Sequence, residues 1–175
     1  LCVATPVDGY DSGPAVVATA AVSNTAPTIQ SVAIQPISPS VVTALTCQWD
    51  GFQDVDGGSD HSTVAWTIGG DLVGSDATLP VSAFHKGDVV TCTVTPNDNT
   101  DDGPIKSASV TIVNATPTVN SVVLTPGTGG KLDTYLCTPN GAQDPDGDGV
   151  TFSTVWQKNN QPVPGQTGAS WKPGT

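Results

Sequence analysis

Two residue types in this sequence could do chemistry: aspartate and cysteine. All 16 acidic residues are Asp, and twelve of them fall in two kinds of cluster. One kind of cluster holds Asp50, Asp54, Asp56 and Asp60, and again Asp144, Asp146 and Asp148. The other holds Asp8 and Asp11, and again Asp98, Asp101 and Asp102. Carboxylates on alternate residues can aim their oxygens at one point. A hard cation such as Ca²⁺ takes about six to eight such oxygens. The segment Asp144-Pro145-Asp146-Gly147-Asp148-Gly149 has that spacing, with glycine where a sharp turn is needed. Around Asp54 the pattern is thinner: Asp54 and Asp56 remain, Gly58 stands where the third acid would be, and Asp60 is the substitute. Asp and Gly also favour turns for purely local reasons, so a plain turn is the competing reading. Recurrence of the clusters is what speaks for Ca²⁺. The cysteines Cys2, Cys47, Cys92 and Cys137 are either bridges or metal ligands, and a zinc site would want them in close pairs, which they are not.

Other chemistry finds less support. The Asp144 segment opens like an EF-hand calcium loop, but Val155 occupies the twelfth position and no helices flank it, so it is not one. His61 lies beside an acidic loop and could serve as a base or a ligand, but the expected role is that of a solvated loop residue. Paired catalytic carboxylates would have to recur with each acidic loop, which argues against an enzyme. Asn114-Ala115-Thr116 fits a glycosylation acceptor, although Pro117 follows. The net charge of −11 disfavours nucleic acid, whose phosphates need clustered cations. No apolar run nears the ~20 residues of a membrane span, so no insertion is expected from this segment. No signal peptide opens the chain, and Leu1 starts in mid-pattern, so the gene product is expected to begin upstream.

The elements that must position these residues are strands. All five basic residues are Lys, there is no Met, and the 19 Gly and 15 Pro break up helices. A shift of about 90 residues aligns the chain with itself. Cys2–Pro14 matches Cys92–Pro104, Asn24–Pro36 matches Asn114–Pro126, Cys47 matches Cys137, and Trp66 matches Trp156. The expected organisation is therefore the end of one repeat at 1–25, a complete repeat at 26–115, and the front of a third at 116–175. Within the complete repeat, apolar residues alternate with period two: Val32 and Ile34; Leu45, Cys47 and Trp49; Val64, Trp66 and Ile68; Val90, Cys92 and Val94; Val110 and Ile112. Each run predicts a strand with one buried face. Trp171 is aligned with Phe84, so that Lys172 to Thr175 follow it as His85 to Asp88 follow Phe84.

Cys47, Trp66 and Cys92, inward on three separate strands, resemble the immunoglobulin pattern of a strand-B cysteine, a strand-C tryptophan and a strand-F cysteine. Val90 stands where antibody domains carry a tyrosine. With the Pro-rich joints and Asp-Gly loops, the better likeness is to bacterial Ig-like, PKD-like and cadherin-like repeats of long extracellular surface proteins. The resemblance implies an all-β fold of tandem immunoglobulin-like β-sandwich repeats of about 90 residues. It implies a Cys47–Cys92 bridge and an oxidising compartment. Cys2 and Cys137 are then strand-F and strand-B cysteines with partners outside this copy. Either the chain is a window on a longer array, or one copy's tail completes another's front. In an immunoglobulin-type sandwich the two kinds of acidic loop share a pole, so Asp54, Asp56 and Asp101 are expected to approach one another there. The functional expectation is a stalk, spacer or filament at the cell surface, its partners being neighbouring copies or repeats. The alternatives are an adhesin or glycan-binding module, or accessory repeats of a secreted enzyme.

Overall fold

The computed structural model describes residues 1–174. Thr175, the last residue of the Trp171 alignment, lies outside them. The chain is all-β, with several antiparallel sheets in an arrangement consistent with a β-sandwich. Its strands are β1 (Cys2–Ala4), β2 (Val16–Ala18), β3 (Ser31–Gln35), β4 (Leu45–Asp50), β5 (Thr63–Ile68), β6 (Asp71–Gly74), β7 (Thr78–Leu79), β8 (Val89–Thr95) and β9 (Lys106–Thr111). They continue with β10 (Ser121–Thr125), β11 (Tyr135–Asn140), β12 (Gln157–Lys158), β13 (Gln161–Pro162) and β14 (Ser170–Trp171). The one helical element described is the 3₁₀ turn Val81–Ala83. Among the described residues no helix is long and apolar enough to cross a membrane.

Among the described residues the strands form five sheets: β1-β2, β3-β4-β7, β6-β5-β8-β9, β10-β11-β14 and β12-β13. The alternation read from the sequence is the reason. In β8 the side chains of Val90, Cys92 and Val94 are wholly buried while Val89 is exposed. β4 buries Leu45 and Cys47 in the same way.

By contacts the chain divides into two units. One comprises Leu1–Ser31, Trp49–Thr63 and Val94–Lys106. It holds the β1-β2 hairpin and the acidic loops 50–60 and 97–102. Pro27, Ile29, Val94 and Pro96 are buried in it. Gly103 is required here, because a Cβ at that position would lie 1.8 Å from the Pro27 carbonyl oxygen.

The other unit comprises Val32–Gln48, Val64–Thr93 and the chain from Ser107 onward. Its core is Leu45, Cys47, Trp66, Leu79, Phe84, Val90, Cys92 and Ile112. Cys47 and Cys92 form a disulfide, with Cα atoms 6.2 Å apart. Trp66 is fully buried and its indole Nε1 donates to the Asp76 carbonyl at 2.8 Å, so the polar end of the ring is satisfied.

Local geometry recurs where the sequence does. Thr28 pairs with Gln53, and Thr118 with Gln143. Gln35-Pro36 and Thr125-Pro126 are both cis. Cys47 N–H donates to Ala77 O and Cys137 N–H to Ala169 O, each at 2.8 Å. Trp156 Nε1 donates to Gly168 O at 2.9 Å, as Trp66 does to Asp76.

The ladder corrects one alignment. Tyr135 pairs with Trp171 as Leu45 pairs with Leu79. Trp171 is thus the counterpart of Leu79, not of Phe84. The turn around Val163–Gln166 carries the extra residues that displaced the sequence match. Trp49 also departs from expectation. It is only half-buried, and its indole serves the acidic loop.

The disulfide closes a 45-residue loop. Replacing both cysteines (Cys47→Ala with Cys92→Ala) should cost about 4 kcal/mol of stability, the loop-closure entropy returned to the unfolded chain. Urea unfolding measures it, and a loss under about 1 kcal/mol would contradict that cross-linking role.

Candidate metal centre at the acidic loops

Each acidic loop is shaped by its own carboxylates. Asp54 Oδ1 accepts the Asp56 N–H at 2.6 Å, and Asp144 Oδ1 accepts the Asp146 N–H at 2.8 Å. Gly57 and Gly147 then turn the chain with φ of 86° and 80°, a region where a side chain would be strained. The 97–102 loop and its counterpart at the N-terminus use the same device. Asp98 Oδ1 accepts from Thr100 and Asp101 N–H; Asp8 Oδ1 accepts from Tyr10 and Asp11 N–H. Asp102 accepts from the Asn97 side-chain amide.

In the first unit the loops close on the joint before Pro27. Asp56 Oδ2 accepts the Thr25 N–H at 2.6 Å. The Asn24 side-chain amide donates to Asp98 Oδ2 at 2.8 Å and to Asp101 Oδ2 at 2.9 Å. It thereby joins two carboxylates that would otherwise repel. The two acidic loops come close at Gly58: a Cβ there would meet Asp54 Oδ2 and Asp98 Cβ, each at 2.8 Å. That is why glycine, not a third acid, stands at this position. Asp60 is held separately by Ser62 and by the Trp49 indole at 3.0 Å. Burial pushes the Asp60 carboxyl up, but those bonds outweigh it and keep it below the ordinary range.

In the second unit, Asp146 Oδ2 accepts the Ala115 N–H at 2.6 Å, the same contact one repeat length on. The Asp148 carboxylate meets Lys86 Nζ, which also donates to Asn114 Oδ1 at 3.2 Å. That carboxylate raises the Lys86 pKa. Asp144, Asp146 and Asp148 place one oxygen each within 4.8 Å of one another. Among the described residues no other acidic group does this, so Asp54, Asp56 and Asp101 do not form such a set. Asp146 Oδ1 and Asp54 Oδ2 are buried without a hydrogen-bond donor. Chemically, the triad offers a small oxygen cage suited to a hard divalent cation, with Lys86 as a built-in positive charge on its rim.

The sequence reading missed Asn24, Asn114, Lys86 and Trp49. The recurrence of Asn at the head of both Pro-containing joints was visible, but its amide had no assigned task. His61 is exposed; its backbone N–H donates to Asn97 O, and its ring lies near enough to Asp60 to help lower that carboxyl. Comparison with known proteins finds no family, no curated protein and no solved structure that matches this chain.

Asp98 supplies a pH test. The Asp101 N–H first, then the Asn24 amide, hold its carboxyl well below the usual carboxylate range despite some desolvation. The unfolded chain therefore takes up this proton more readily than the folded one. The resulting stability is complete above about pH 5 and is lost as pH falls through ~4 and below. Asp98→Asn should lower Tm at neutral pH and flatten its fall on acidification. A Tm-against-pH curve with unchanged acid slope would contradict the assignment.

Proposed function

We propose that this chain is a structural segment of an extracellular array of immunoglobulin-like β-sandwich repeats, each about 90 residues long. In this reading 1–25 ends one repeat, 26–115 is complete and 116–175 begins the next. Their stacking makes a stalk, spacer or filament at a cell surface, without enzymatic activity. The observation that carries the reading is the repeated clamp on the joints. An aspartate of the following acidic loop takes the N–H of the joint residue at 2.6 Å in both places, Asp56 to Thr25 and Asp146 to Ala115. A joint held by the next module's loop, and stiffened by Pro27 or Pro117, limits bending. A spacer needs that and a catalyst does not. The Cys47–Cys92 disulfide fits an oxidising, extracellular setting.

The same reading gives Asp144, Asp146 and Asp148 to Ca²⁺. Their oxygens converge, and Asp146 Oδ1 is buried with no donor to satisfy it. A bound cation would tie the loop to the joint at Ala115 and displace Lys86 from Asp148.

Two measurements test this. Hydrogen–deuterium exchange should show the Thr25 and Ala115 amides protected. Asp56→Ala and Asp146→Ala should each speed exchange at the matching amide by about tenfold or more, given ~1.5–3 kcal/mol for a charge-assisted hydrogen bond. Surface labelling of intact cells with an antibody to the chain should be positive. Recovery of the chain from the cytosol with Cys47 and Cys92 as free thiols would refute the extracellular assignment. For the cation, Ca²⁺ titration of the full chain should release or absorb heat and raise Tm, and Lys86→Ala should tighten binding. No heat and no Tm change would remove Ca²⁺ from the account.

A further inference from the structure

At the end of β11 the sequence reads Asn140-Gly141, and no other asparagine in the chain is followed by glycine. One repeat length earlier, at the end of β4, stands Asp50-Gly51. The surroundings of the two turns match. Gln30 N–H donates to Asp50 O at 2.8 Å, and Asn120 N–H donates to Asn140 O at 3.1 Å. Gly51 has φ of 70° and Gly141 has φ of 68°. Both positions demand glycine. A Cβ at Gly51 would lie 2.4 Å from the Gln30 side chain, and one at Gly141 would lie 2.5 Å from that of Asn120.

This turn brings the glycine nitrogen against the side chain before it. Gly51 N–H donates to Asp50 Oδ1 at 2.7 Å, a contact between adjacent residues. At Asn140 the same turn carries a carboxamide, which is an electrophile with ammonia as its leaving group. Asp50 carries a carboxylate, which repels a nucleophile and has no such leaving group. Among the described residues the Gly141 N–H has no hydrogen-bond partner that would hold it away. Glycine also has no side chain to screen that nitrogen. Asn140 is exposed, and so is Asp50, so access by water belongs to the turn itself.

We infer that Asn140 is a site of spontaneous deamidation, built by the packing that fixes glycine at position 141. The Gly141 nitrogen forms a bond to Asn140 Cγ, and the Cγ–Nδ2 bond breaks. The proton from the backbone nitrogen leaves with Nδ2 as ammonia. Water then opens the resulting succinimide. Cleavage of its N–Cγ bond gives aspartate, and cleavage of its bond to the Asn140 carbonyl carbon gives isoaspartate. Holding the two reacting groups side by side removes the search that a free chain has to make. The aspartate product has the residue that Asp50 already supplies in the other turn. The isoaspartate product adds a methylene to the main chain where Asn140 O meets Asn120 N–H. None of this depends on the proposed function, because it needs only the local turn.

The test follows the full chain through incubation at neutral pH, with peptide mapping by mass spectrometry and isoaspartyl methylation to distinguish the two products. Aspartate and isoaspartate should accumulate at Asn140 about tenfold faster or more than at Asn114 or Asn120. The native chain should convert at least as fast as the chain unfolded in guanidinium chloride. Asn140→Gln should give no product at that position, because its ring closes far more slowly. The Asn120 amide should exchange hydrogen several-fold faster in the isoaspartyl form, while Asn140→Asp keeps its protection. Conversion at Asn140 no faster than at Asn120, or slower in the native chain than in the unfolded one, would overturn the inference.

Discussion

A strand with one apolar face must have that face covered, and this constraint governs the molecule. Around Trp66 the requirement is met. Leu45 and Cys47 on β4 and Val90 and Cys92 on β8 are all buried, and the bridge joins the two strands. The buried indole keeps its hydrogen bond, so nothing polar is stranded. Where the same sequence recurs around Trp156, that indole is buried but its apolar neighbours are less covered. Leu124, Leu136 and Val122 are then left about half exposed, and the strand beside Trp156 shrinks. Trp171 partly compensates, with its ring centroid 5.6 Å from that of Trp156.

The second organising force is electrostatic. A chain of this negative charge has to manage its carboxylates where loops crowd. It does so with backbone N–H groups, with the Asn24 amide shared between Asp98 and Asp101, and with Lys86 against Asp148. Each of these partners belongs to a joint or to a loop facing one, so neutralising the acids also fixes the joints. Ca²⁺, in the proposed role, would add charge to a geometry that hydrogen bonds have already begun.

Much of this was legible in the sequence. Period-two runs located most strands of 26–115, and Cys47, Trp66 and Cys92 marked the core because a bridge and an indole need burial on separate strands. The acidic loops were visible as spacing. Their partners were not: Asn24 acts on residues more than seventy positions away, and Lys86 more than sixty. No local pattern encodes such contacts. Trp171 was misplaced for a related reason. In a stretch of Gly, Pro and Gln, a lone aromatic matches another aromatic more readily than the leucine whose ladder position it holds. Trp49 has the right phase for the core, but it sits near the strand end, where its indole reaches Asp60.

The central claim is that burial between two sheets makes the core, deep around Trp66 and shallower around Trp156. Both indoles donate to a backbone carbonyl at nearly the same distance, 2.8 and 2.9 Å. Hydrogen exchange at the two Nε1–H groups, followed by NMR on the full chain, therefore reports cover rather than bond geometry. Trp66 should exchange only through global unfolding, and Trp156 at least a hundredfold faster through local opening. Equal protection at the two indoles, or faster exchange at Trp66, would contradict the account.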